Sequence, residues 1–440
     1  MGENILGAFV VAALLALGAV LVFTHRARRD VLAFIVGLSA GLFGVQVLQV
    51  HVFTIVVVVW AIFSRRDGKS LVAREAVVLF CAAALLASTA LFGDLVNNPP
   101  LGLQLLALAV SAAIIIVSAS TSDVRVMLYG LLTVTSFGAV FGLLQVAGVI
   151  PSDVWHLSIS ALGRPTGIYP EPDWLGMYSG VGLVLAWRLD IRRWLRVGLI
   201  AVNFSGLVLA FARAGWVATA GSVAFALAVA LLVRTRSSRQ ASPPNAPPAR
   251  AVHYRSGRTA GVIVTAVLGV VALNAIPALH DNLITRLSRT LTVASDDVSA
   301  QARVQQNDGL LYLADSAPWY GWGISSSGRV GVSGRLNFGA SENNVGSNWV
   351  LSMWVDGAWL SLPLIAILLF CCIAAASTLQ GQLLVLVLLN SFFSNATYQP
   401  ITWFLVALGL AYVRQQREGT NAMTISTTSR KPLRPLYPVR

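Results

Sequence analysis

Arg213 lies in Ala-Phe-Ala-Arg-Ala-Gly-Trp, at the junction of two apolar runs with almost no polar loop between them. A guanidinium embedded in a span costs about 2.5–3.5 kcal/mol on insertion scales, so it calls for an anionic partner or a water-filled cavity. Arg164, in Leu-Gly-Arg-Pro-Thr-Gly-Ile-Tyr-Pro-Glu-Pro-Asp-Trp, and Arg286, Arg289 and Arg303 sit in other segments between apolar runs. Guanidinium grips phosphate oxygens through paired N–H donors and keeps its charge when partly dry. Several arginines converging just outside a lipid boundary would suit a lipid diphosphate. Two plainer readings stand beside this one. Arg213 can snorkel to headgroups, and Arg286 and Arg289 can be solvated loop charges.

Transfer onto a hydroxyl also needs a positioned base. The acids in the same segments are Asp153, Glu171, Asp173, Asp281, Asp296, Asp297, Asp308, Asp315, Glu342 and Asp356, and their spacing singles out none. His156 and His280 are lone loop histidines. The chain has no Cys/His metal spacing, no Gly-Lys-Ser/Thr phosphate loop and no Gly-x-Ser-x-Gly elbow. No metal or cofactor is expected.

The elements that must carry these residues are apolar. Hydrophobic residues make up 56% of the 440 and charged residues 11%, against about a quarter charged in soluble proteins. The mean hydropathy is +0.73. Lipid is the solvent that suits such a chain, and in lipid the apolar runs must be helices. The spacing predicts an all-α integral membrane protein of about 12–13 transmembrane helices with one large extracytoplasmic loop. Spans are expected at 5–23, 72–93, 101–119, 126–149, 174–188, 196–211, 215–233, 259–279, 357–377, 381–396 and 400–413. The stretch 31–63 is too long for one span and has basic residues at both ends, so two short helices are expected to turn near Gly41–Gly44. The Gly37–Gly41 pair is a helix-packing signal.

Charge orients the spans. Arg188, Arg192, Arg193 and Arg196 share one loop, and Arg234, Arg236, Arg239, Arg250, Arg255 and Arg258 another. Arg414, Arg417, Arg430, Lys431, Arg434 and Arg440 lie in the tail. All fall on one side, the positive-inside pattern, so the net charge of +13 is no nucleic-acid footprint. The basic cluster follows the first span, which favours an outside N-terminus over a cleaved signal peptide. Cys81, Cys371 and Cys372 lie in apolar runs and read as packing residues.

The resulting organisation is an N-terminal bundle over 1–279, an outer loop subdomain over 280–346, C-terminal spans over 347–413 and a disordered basic tail over 414–440. A Pro- and Ser-rich disordered linker is expected over 234–258. The outer loop should begin with an amphipathic helix around 298–315 and continue as a turn-rich region over 321–347.

Three motifs give the chain a family likeness. Arg164-Pro-Thr-Gly167-Ile-Tyr169-Pro-Glu-Pro172-Asp173 precedes a span, Ala212-Arg213-Ala214-Gly215 joins two spans, and Ala317-Pro318-Trp-Tyr-Gly321-Trp-Gly323 follows Arg286 and Arg303 in the long loop. In order and spacing these resemble elements of the O-antigen ligase and polymerase-like family of polytopic glycosyltransferases, over roughly 120–410. The resemblance implies a C-type glycosyltransferase architecture working outside the cytoplasmic membrane. It implies a polyprenyl-diphosphate-linked glycan as donor, a glycan or glycolipid as acceptor, and no nucleotide sugar or metal. By the same resemblance Arg164, Arg213, Arg286 and Arg303 bind the diphosphate.

The sequence departs from the family at the acceptor side. Ligases of the family carry a His-Asn pair after the long loop, whereas this chain has Ser347-Asn348. Asp356 stands at the position of the family's downstream acid, and Asp173 replaces its usual Asn. The base must then come from elsewhere, with Glu171, Asp173 and Glu342 as candidates. A polymerase-like member fits better than a lipid-A-type ligase. A flippase of lipid-linked sugars and a non-catalytic scaffold among envelope-assembly partners remain the alternatives.

Overall fold

The structure, a computed structural model, describes residues 28–42, 45–47, 50–64, 73–150, 164–239, 298–331, 333–337 and 345–428. Within them the chain is mostly helical. The helices are α1 (Arg28–Ala40), α2 (Val52–Ser64), α3 (Arg74–Phe92), α4 (Pro99–Ser118), α5 (Thr121–Val146), α6 (Pro172–Arg188) and α7 (Arg193–Leu209). They continue with α8 (Arg213–Arg239), α9 (Val298–Asp315), α10 (Trp349–Gly357), α11 (Leu362–Ala374), α12 (Leu379–Asn390) and α13 (Pro400–Thr428). Residues 31–63 do form two short helices. Between them a small antiparallel pair, β1 (Gln46–Val47) and β2 (Val50–His51), turns the chain.

Local chemistry sets the helix starts. Asn98 caps α4, its Oδ1 accepting from the Leu101 amide, with Pro99 at the first helical position, where a missing N–H costs nothing. Ser120 and Asp123 form a reciprocal capping box at α5. Thr378 caps α12 by accepting from the Gly381 amide, and Asn348 caps α10 by accepting from the Val350 and Leu351 amides.

By length and composition α3, α4, α5 and the Arg213–Val233 part of α8 can cross a membrane, while Val52–Phe63, α11 and α12 are apolar but shorter. Their outward faces are apolar too. Val77, Val78, Leu85 and Leu91 on α3, and Leu227, Leu231 and Leu232 on α8, are exposed. A contiguous apolar exterior suits lipid and not water.

Side-chain contacts give the bundle two unlike ends. At one, Arg29 pairs with Asp123, and Arg417 pairs with Glu75 at 2.8 Å. Arg414 Nη1 donates to the Val117 carbonyl at 2.8 Å. Arg188 at the end of α6, and Arg192, Arg193 and Arg196 at the start of α7, lie at this same end, where Tyr129 donates to the Asp190 carbonyl. The other end carries the starts of α6, α8 and α10, and α9 with its turns lies over it.

Four expectations need correction. The span placed at 357–377 holds a shorter helix, α11, because the chain leaves α10 at Gly357 through Ala358 (φ 39) and a 3-10 turn, and α11 begins only at Leu362 with Pro363 in its first turn. The span placed at 381–396 stops at Asn390. The tail does not become irregular at Arg414, because α13 runs on to Thr428. Its Arg, Gln, Glu, Ala and Met residues are good helix formers. Likewise α8 continues into the expected linker as far as Arg239. The spans expected at 5–23 and 259–279, and the rest of the linker, lie outside the described residues.

Candidate functional site

The segment leading into α6 is held from behind. Gln145, near the end of α5, accepts through Oε1 from the amides of Thr166 (3.1 Å) and Gly167 (2.8 Å). Gly167 has φ +62, and a Cβ there would meet the Gly138 carbonyl at 2.5 Å. Only glycine allows that turn at that approach. Tyr169 then packs fully buried, its ring stacked on Tyr178 of α6 at 4.4 Å between centroids. This anchoring fixes Arg164 on one side of the α6 start and Asp173 in its first turn.

Asp173 joins two arginines from distant parts of the chain. Its Oδ1 accepts from Arg164 Nη1 at 3.4 Å, and its Oδ2 from Arg303 Nη2 at 2.8 Å. All three side chains are half-buried. The Arg303 guanidinium also lies over the Phe393 ring, 5.7 Å from its centroid, a cation–π contact. Glu171 caps the start of α6 without a side-chain cap bond. Surrounding protein strips part of the hydration from its carboxyl, and the Asp173 charge adds to this. Arg164 and Arg303 oppose both, and the balance leaves the Glu171 carboxyl above its ordinary range.

Formal charge in this group sums to zero when both acids are ionised. A net positive field needs a further arginine, or a proton on Glu171. Arg213 supplies the first. It opens α8 after a three-residue turn in which Phe211 adopts φ 48. Trp216 Nε1 ties this turn to the Leu207 carbonyl at 2.8 Å. Gly176 faces Ala212 so closely that a Cβ on it would lie 2.6 Å from the Ala212 methyl. Gly176 is one helical turn beyond Asp173, so Arg213 opens α8 at the end of α6 that holds Asp173. Its side chain is half-buried.

Ser347, just ahead of α10, reaches this group through α9. Its Oγ donates to Gln306 Oε1 at 2.7 Å, and Gln306 stands three residues after Arg303, on the same helix face. Gln306 Nε2 in turn donates to the Val330 carbonyl at 3.0 Å. The backbone around Ser347 is fixed on both sides. The Gly346 carbonyl accepts from Asn395 Nδ2 at 3.2 Å, and the Trp349 amide donates to the Ser391 carbonyl at 3.0 Å. Asn348 Oδ1 accepts from the amides of Val350 and Leu351, which is a capping role.

Asp356 is fully buried at the end of α10. Its Oδ1 accepts from the Ser327 amide at 2.8 Å and its Oδ2 from the Tyr398 hydroxyl at 3.0 Å. Burial pushes its carboxyl up to about 6, although bonds from Ser327, Tyr398 and Ser325 pull the other way. Its backbone carbonyl takes the Gly323 amide at 3.1 Å. Trp322 bonds the Val355 carbonyl through its amide and, through its own carbonyl, the amides of Leu95 and Val96. Asp356 is thus the latch that holds the Pro318–Gly323 turn over the helix ends.

Of the residues singled out in the sequence, Arg164, Glu171, Asp173 and Arg303 form one cluster. Arg213 lies at the same end, and Ser347 is linked to the cluster through α9. Glu342 and Arg286 lie outside the described residues. Gln145, Gln306 and Phe393 were not foreseen. The three-residue interval from Arg303 to Gln306 within the expected 298–315 helix is the one signal that could have flagged Gln306. Among the described residues no group of three or more His, Cys, Asp or Glu side chains is arranged to hold a metal ion.

With both oxygens accepting from guanidiniums, Asp173 has the geometry of a clamp. Glu171, beside two arginines and without a cap bond, has the freer carboxylate. No protein-family model matches this sequence, and no curated protein matches it either.

Proposed function

We propose that this chain is a membrane glycosyltransferase that moves a saccharide from a polyprenyl-diphosphate carrier onto a glycan or glycolipid acceptor. The reaction takes place at the outer face of a bacterial cytoplasmic membrane, for cell-envelope polysaccharide synthesis. The observation that carries this reading is the cluster of Arg164, Asp173 and Arg303, with Arg213 at the same end of the bundle and the basic loops at the other. Under the positive-inside rule the basic end is cytoplasmic, which turns the cluster outward.

In this reading the acceptor hydroxyl attacks the anomeric carbon. The new C–O bond forms as the bond to the diphosphate breaks, and the diphosphate leaves with the electron pair. Guanidinium charge stabilises that departing oxygen, the place where preorganised charge contributes most. The hydroxyl proton passes to a carboxylate, for which Glu171 is the candidate, while Asp173 holds Arg164 and Arg303 in register. Residues of this chain supply all of these roles, so the reading is of a metal-independent enzyme.

The test is incubation of the purified protein with lipid-linked oligosaccharides, comparing wild type with Arg213→Ala. The variant should lose transfer by about 100-fold while eluting and melting as the wild type does. Full activity in that variant removes the diphosphate role from Arg213. Growth of the glycan on its carrier identifies a polymerase, and transfer to a different lipid identifies a ligase. Absence of both in the wild type, with movement of the carrier across vesicles, would identify a flippase.

A further inference from the structure

The turn that follows α9 gathers aromatic rings at the end of α3. Trp319 and Tyr320 pack edge to face at 5.4 Å, and Tyr320 packs against Phe92, the last residue of α3, at 5.7 Å. Tyr320 donates its hydroxyl to Asp94 Oδ2 at 2.7 Å. The Trp359 amide donates to the Trp319 carbonyl at 3.1 Å, and the Trp359 ring packs on Trp354 at 5.7 Å. Trp359 lies just before α11, so the group spans the ends of two adjacent apolar helices. The large rings are not buried: Trp319 is 65% exposed and Trp359 62%.

Distance along α3 says what these rings meet. The helix has 19 residues, or about 28 Å at 1.5 Å per residue. It starts at Arg74 and Glu75 and ends at Phe92. That length matches a hydrocarbon core of about 30 Å. With the charged start at one membrane boundary, the rings lie at the other. Trp and Tyr prefer that boundary because an apolar ring sits beside a polar N–H or O–H.

We propose that Trp319, Tyr320 and Trp359 seat the outer subdomain in the headgroup layer of the outer leaflet, with a lipid surface as their partner. The subdomain then rests against the membrane on its α3 and α11 side and does not stand free in water. This inference rests on the membrane reading of the chain but not on its transferase activity. A glycan stacked on the same rings is the competing occupant.

Spin labels test it. Trp319→Cys and Trp359→Cys are made separately in a Cys81→Ser background, since Cys81 is the exposed cysteine among the described residues. The labelled proteins are placed in phospholipid nanodiscs. Labels at Leu85→Cys, 42% exposed midway along α3, and at Asp315→Cys, exposed at the end of α9, mark the lipid and water limits. Collisions with oxygen and with a water-soluble nickel complex are compared. Labels at 319 and 359 should show an oxygen preference severalfold above that at 315 and below that at 85. Values equal to those at 315 while 85 reports lipid would overturn this inference alone. Values at 85 equal to those at 315 would overturn the membrane reading with it. Immobilisation of the 319 label only when soluble oligosaccharide is added would assign the rings to a glycan instead.

Discussion

Arg303 donates to Asp173 Oδ2 at 2.8 Å across 130 residues of chain. The bond ties α9 to the first turn of α6, and it shares its carboxylate with Arg164. A guanidinium held by a carboxylate is oriented before any ligand arrives, which lowers the ordering cost of gripping one.

Removing the carboxylate should therefore disturb two arginines at once. Asp173→Ala is expected to lower transfer from lipid-linked donor by about 10- to 100-fold. Asp173→Asn should lower it less, because the amide oxygen still accepts. A double-mutant cycle between Asp173→Asn and Arg303→Lys should show a coupling of about 1 kcal/mol. Strict additivity would mean that the bond has no part in activity.

The support behind Arg164 is testable without touching any charge. Gln145→Leu keeps the size of the side chain and removes the acceptor of the Thr166 and Gly167 amides. We expect a rise in KM for the lipid-linked donor of about tenfold, the worth of about 1.4 kcal/mol, with kcat less affected. Gly167→Ala should be the harsher change. A methyl at φ +62, 2.5 Å from a carbonyl oxygen, should cost about 1–3 kcal/mol, read as a lower Tm.

Ser347 donates its hydroxyl to Gln306. Its hydroxyl so placed acts on α9 and not on an acceptor. Ser347→Ala should then reduce kcat by less than about tenfold, and Gln306→Ala should have a similar effect, each acting through the placement of Arg303. A loss in Ser347→Ala as large as that in Arg213→Ala would assign the hydroxyl a direct part in the chemistry.

The buried Asp356 makes stability depend on pH. Its carboxyl stands at about 6 in the folded protein against an ordinary 3.8. Between those values the folded chain holds a proton that the unfolded chain has released. Stability from this group is fully present below 3.8, falls as pH rises through about 6 and is level above it, a total of roughly 3 kcal/mol. Asp356→Asn should abolish that slope, so the Tm difference between variant and wild type should grow in the variant's favour from pH 4 to about pH 6.5. A constant difference across the range would mean that the carboxyl titrates normally.

The helices were legible in the sequence where apolar runs were long. The α3, α4 and α6 boundaries follow from composition, and the 298–315 helix follows from its apolar spacing. The helix α10 was not legible, because the nine residues Trp349–Gly357 are too short a run to stand out beside the longer apolar stretch that follows. The helical continuation past Arg414 was hidden by its polarity, which in a sequence looks the same as a disordered tail. At the site, the arginines announced themselves by standing where charge is costly. Their pairing did not, since the bond from Arg303 to Asp173 depends on how α9 lies over the end of α6. Gln145 carried no signal, as its role is to hold a turn that only the folded chain possesses.

The Phe393 ring beneath Arg303 and the Asn395 amide on the Gly346 carbonyl come from the segment between α12 and α13, which is made after Arg303 and Ser347 themselves. A chain halted before α12 would contain Arg164, Asp173, Arg213 and Arg303, yet no aromatic face under the outermost guanidinium and no tether for Ser347. The order of synthesis thus leaves Arg303 and Ser347 without these two supports until the segment after α12 has been made.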